Sequence, residues 1–152
     1  MQELTDDPTI NDGEILYRRI PNVEQVSFMV TDEVTKVRRP TSAVFRPDKD
    51  GLSVYIDSIL RQYELTERDV QTRPESGVLS LTVGDIRAEE LGVASDAWPK
   101  STDDPTHLRN AAHALVVGFR SLSKSQLKVK QYALIGKCQI LIDPLQRDRL
   151  QP

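Results

Sequence analysis

The chain has one cysteine, Cys138, and two histidines, His107 and His113, in 152 residues. A lone thiol excludes an internal disulfide framework and a cysteine-rich zinc site. The histidines stand six apart rather than the four of a zinc-binding helix, so no metal is expected. No apolar run approaches the roughly 20 residues of a membrane span, so no membrane partner is expected. Met1 to Asp7 is acidic and lacks the apolar core of a secretory signal. Together these absences point to a reducing cytoplasm. Also missing are the G-x-S-x-G nucleophile elbow, a phosphate loop and the dinucleotide glycine fingerprint.

What is present suits one compact domain: 38% hydrophobic and 28% charged residues, with length enough to bury a core. Nine prolines and seven glycines favour short elements and many loops. The expected class is α+β, a mostly antiparallel sheet with two to four short helices over residues 14–144. Residues 1–13 read as a loose leader and 145–152 as a tail. The net charge of −3 is unevenly placed. Residues 1–119 carry 13 basic and 21 acidic side chains, whereas 120–152 carry seven and two. Two accounts fit: a solvated helix face beside an acidic body, or a basic face for a nucleic acid or acidic partner through Arg120, Lys124, Lys128 and Lys130.

Along the chain, Glu14–Ile20 reads as a strand stopped by Pro21, and Gln25–Val30 alternates with Val26, Phe28 and Val30 on one face. Arg38–Arg46 and Gly51–Ile56 read as paired strands across the turn Pro47–Gly51. A helical stripe follows over 57–65, capped by Asp57 or Ser58, and then a mostly looped stretch with a helical turn near Glu67. Val78–Val83 reads as a buried strand. Ile86–Leu91 reads as a helix capped by Asp85 and closed by Gly92. Val93–Thr106, holding Trp98, reads as a long loop. Ala114–Phe119 fits either helix or strand, and Val116-Val117 favours strand. Ser123 and Gln126 form a capping-box pair opening a helix to about residue 135, ended by Gly136. Cys138–Ile142 reads as a last strand.

Candidate chemistry gathers around the expected strand pair. Arg18, Arg19, Arg38, Arg39 and Arg46 bring guanidinium forks that hold carboxylate or phosphate bidentately. Ser42, Ser53 and Tyr55 offer hydroxyls and a ring for a ribose or a base. His113, at the mouth of a buried strand, suits an acid, base or anion donor. The expectation is geometric: the arginines meet over one sheet surface with the imidazole at its rim.

The run Leu16-Tyr17-Arg18-Arg19, Arg39 to Arg46, Gly51 to Tyr55, Asp104 to His107 and His113 to Gly118 resembles a group of small bacterial proteins. That resemblance implies no particular activity. More distantly, Arg18 or Arg19, Arg39 to Phe45, Val54-Tyr55 and Glu64 fall in the order of the RES-domain toxins, which resemble ADP-ribosyltransferases and consume NAD. Arg39-Pro40-Thr41-Ser42 stands where those toxins carry Gly-Gly-Arg. This second resemblance implies NAD as a substrate, with Arg18 or Arg19 and Arg39 on the pyrophosphate. Tyr55 would stack on the nicotinamide, Ser42 or Ser53 would meet the ribose, and His113 or Glu64 would act at the reacting centre. Without it, the missing catalytic signatures and the split charge favour a cofactor-free accessory protein. Such a protein would recognise a partner protein or an anionic small ligand in a toxin–antitoxin or phage-defence setting.

Overall fold

The computed structural model describes residues 4–97 and 105–144. Strands β1 (Ile15–Ile20), β2 (Met29–Thr31) and β3 (Arg38–Pro40) come first, followed by a 3-10 turn at Ser42–Phe45. Next are β4 (Leu52–Ile56), α1 (Asp57–Gln62), α2 (Glu67–Gln71), β5 (Gly77–Thr82), α3 (Val83–Arg87) and β6 (Gly92–Ser95). A 3-10 segment at Pro105–Ala112 leads into β7 (His113–Val117), α4 (Lys124–Lys137) and β8 (Gln139–Ile142). Six strands form one sheet in the order β6-β7-β4-β1-β5-β8, antiparallel throughout, while β2 and β3 pair separately. The fold is α+β. Among the described residues no helix is long and apolar enough to cross a membrane.

Period-two alternation divides the sheet into two faces. On β4, Leu52, Val54 and Ile56 enter the main core with Leu16, Leu79 and Val116. That face is covered by α3, α4 and the Ser42–Phe45 turn, whose Phe45 and Val44 plug the core. The other face carries Tyr17 and Val78 under Leu60 of α1 and Val70 of α2, with Ala112 of the 3-10 segment. Ser53 and Tyr55 therefore point away from the main core.

The structure revises several expectations. Arg38–Arg46 does not run as one strand beside β4. Pro40 ends β3, β3 pairs with β2, and residues 42–45 coil so that two adjacent apolar side chains point into the same core. The turn before β4 survives: Asp48 Oδ1 accepts from the Asp50 and Gly51 amides. Gly51 sits at φ +129°, and a Cβ there would run into the Val116 carbonyl. Gln25–Val30 contracts to β2, with Val26 left in an isolated bridge to Val23. Neither Asp57 nor Ser58 caps α1. Asp57 lies in its first turn and takes the Tyr17 hydroxyl and Arg61 instead. Thr82, not Asp85, caps α3, with Asp85 supplying the reciprocal half of the box. Gly92, expected to close a helix, instead opens β6, which runs into the stretch expected as loop, and α4 continues through Gly136 to Lys137. Residues 4–13, expected as a loose leader, are tied to the body: Asp7 N donates to Val93 O at 2.8 Å, and Arg87 bridges Asp6 and Asp12. Trp98, Asp103, Asp104 and the 145–152 tail lie outside the described residues, as does the His107 side chain.

Candidate functional site

Three of the expected site residues meet on the sheet face away from the main core. Antiparallel pairing of β4 with β7 sets Tyr55 opposite His113 and Ser53 opposite Leu115, so Ser53 and His113 are diagonal neighbours. His113 Nε2 lies 3.0 Å from Ser53 Oγ. Beyond β7, the edge strand β6 ends at Ser95, and Asp96 N donates to His113 O at 3.0 Å. That hold places Asp96 O 3.0 Å and Asp96 Oδ2 3.1 Å from His113 Nδ1. The Tyr55 ring meets the imidazole edge-on, 5.5 Å between centroids. His113 is 2% exposed, so its ring nitrogens are satisfied by protein groups rather than by solvent.

The hydrogen-bond chemistry orders this chain. Carbonyl and carboxylate oxygens only accept, so Nδ1, facing two of them, carries the proton in the neutral ring. Nε2 is then the acceptor, and the Ser53 hydroxyl donates to it. Beside the chain opens a cavity of about 570 Å³. Leu115, Val117 and Phe119 supply its apolar wall, and Lys49, Asp50 and Arg120 are among its charged residues. Asp96 is the member of the chain that reaches this wall.

The arginines do not converge. Arg18 and Arg19 are successive on β1 and face opposite sides of the sheet. The Arg18 guanidinium donates to Val44 O at 2.7 Å and Ser53 O at 2.8 Å, fastening the 3-10 turn to β4. Burial, then the neighbouring Arg19 charge, pulls its pKa down to about 10, still cationic at neutral pH. Arg19 donates to Thr72 Oγ1, and Arg38 chelates Asp143. Arg39 is exposed on β3 and Arg46 is exposed after the turn. Ser42 belongs to the 3-10 turn on the main-core side, and Glu64 is exposed in the turn after α1. Of the pyrophosphate grip implied by the RES-like order, Arg18 or Arg19 with Arg39, both β1 arginines are engaged within the protein while Arg39 stands exposed on β3. Among the described residues no cluster of three or more His, Cys, Asp or Glu side chains is gathered for a metal.

Sequence reading missed Asp96, which lies in the stretch that reads as loop. Nothing local marks it; only the β6–β7 pairing brings it to His113. A second surface is built by α4. Gln131, Leu134 and Ile135 face the core, and Gln131 Nε2 donates to Phe45 O at 3.0 Å. The opposite side shows Lys124, Lys128, Val129 and Tyr132, with the Lys128 ammonium 6.0 Å from the Tyr132 ring centre. Compared with known proteins, the chain matches no family model, no curated protein sequence and no solved structure.

Proposed function

We propose that this protein works by binding, and that it recognises an acidic partner protein through the outer face of α4. The observation carrying this reading is the make-up of that face. Its helix has four lysines and no acidic residue over Lys124–Lys137. Only Lys137 is neutralised, by Glu89; no ion pair holds Lys124, Lys128 or Lys130 among the described residues. Between the lysines stand Val129 and Tyr132, 64% and 57% exposed. Apolar groups ringed by charge of one sign suit a protein surface carrying apolar side chains among carboxylates. Nucleic acid fits less well. Three unpaired ammonium groups neutralise few phosphates, one tyrosine makes a poor stacking platform, and Val129 would meet nothing apolar on a sugar–phosphate chain. A small anion is also disfavoured, because Arg18, Arg19 and Arg38 are engaged within the protein and face different sides of it.

The test places a photo-crosslinking residue at position 129 and illuminates the protein in its native host. The expected product is a covalent adduct with an acidic protein. Lys124→Glu with Lys128→Glu should abolish that adduct and weaken the purified complex at least about tenfold by reversing the attraction. An adduct with nucleic acid, or an acidic protein held equally well by the double variant, overturns the reading.

A further inference from the structure

We propose that Ser53 is a nucleophile for acyl transfer, with His113 as its general base and Asp96 as the residue that positions the imidazole. This site is separate from the α4 face. The order of the chain carries the inference. A buried histidine can satisfy its nitrogens with any suitable donor and acceptor. Here Nδ1 is fixed as donor by Asp96 O and Oδ2 at 3.0 and 3.1 Å, which leaves the basic nitrogen on the serine hydroxyl at 3.0 Å. Activating a serine needs that same order: hydroxyl proton to Nε2, Nδ1–H held by a carboxylate. The parts sit on rigid elements. Ser53 is mid-strand in β4, His113 opens β7, and the Asp96 amide is bonded to the His113 carbonyl. Arg18 further holds the Ser53 backbone through its carbonyl.

The substrate class is read from the neighbouring cavity, which Asp96 lines and Ser53 and His113 do not. Leu115, Val117 and Phe119 suit a short apolar acyl chain, and Lys49 and Arg120 suit a polar leaving portion. Ser53 Oγ would bond to the carbonyl carbon of a small ester as its proton passes to His113 Nε2. Collapse of the tetrahedral adduct breaks the carbon–oxygen bond to the alcohol, which leaves with the proton from Nε2. Water, deprotonated by the same nitrogen, then adds to the acyl-serine and releases the acid, restoring the Ser53 hydroxyl and the neutral imidazole. No oxidant or reductant is needed.

The test uses the full chain with a fluorophosphonate probe and p-nitrophenyl butyrate. Intact mass and peptide mapping should show one probe on Ser53, absent after Ser53→Ala and absent when the protein is unfolded in urea. His113→Asn should slow labelling on the order of a hundredfold or more. Asp96→Asn keeps the backbone acceptor for Nδ1 and so tests the carboxylate in a folded chain. It should lower kcat for the ester on the order of a hundredfold, with KM little changed. No labelling of Ser53 in the folded wild-type protein, or equal rates in wild type and Asp96→Asn, overturns the proposal.

Discussion

Tyr17 is 4% exposed and donates its hydroxyl to Asp57 Oδ1 at 2.6 Å. Burial, and then that bond to the Asp57 carboxylate, pushes the phenol pKa up from 10.0 to about 12. Between those values the folded chain holds a proton that the unfolded chain has lost. The resulting stabilisation is therefore complete below about pH 10 and drains away as pH rises through about 12, with a total on the order of 2 kcal/mol. Urea unfolding between pH 8 and 11.5 should show wild type losing stability more steeply than Tyr17→Phe above pH 10; parallel curves would refute this. Residues of this kind were only half legible. Tyr17 and Arg18 were readable as members of a strand, but an arginine on a strand looks the same whether it meets a phosphate or a backbone carbonyl. The carbonyl that claims Arg18 belongs to Val44, 26 positions away, and it arrives only when the 3-10 turn folds over the sheet.

Among the elements, α4 was the most legible. Its start follows from side-chain chemistry within four residues: Ser123 Oγ accepts from Gln126 N at 3.2 Å and Gln126 Oε1 accepts from Ser123 N at 2.8 Å. Ser123→Ala should cost about 1 kcal/mol in denaturant unfolding without changing the sheet, whereas no measurable loss would mean the helix is held by its core face alone. Thr82 and Thr66 make similar boxes with Asp85 and Asp69. The first was misread by three residues because Thr82 also ends β5, so one residue serves both strand and cap. The Ser42–Phe45 turn failed for a different reason. Ala43 and Phe45 alternate with polar and branched neighbours as a strand would, and only the burial of both Val44 and Phe45 in one core rules out a period of two.

At the scale of the whole molecule, Arg87 ties the start of the chain to the sheet edge. Its guanidinium reaches Asp6 Oδ1 at 3.1 Å, Asp12 Oδ1 at 2.6 Å and Asp7 O at 2.9 Å. Asp6 Oδ1 also accepts from Val93 N, so this segment covers backbone groups of the edge strand β6. Arg87→Ala should cost about 1 kcal/mol or less globally, yet hydrogen exchange in residues 4–13 should speed at least about tenfold. Unchanged protection there would show that the backbone bonds suffice. By itself the sequence determined the α+β class, most of the strands of the large sheet, and the start of α4, because alternation and capping act between residues a few positions apart. Tertiary structure alone decided that β3 leaves the sheet, that Arg18 and Arg19 serve opposite faces, and that Asp96 joins His113 and Ser53. Each of those depends on which strands become neighbours. That choice is made by burying the two faces of the whole sheet at once, and no local stretch of chain records it.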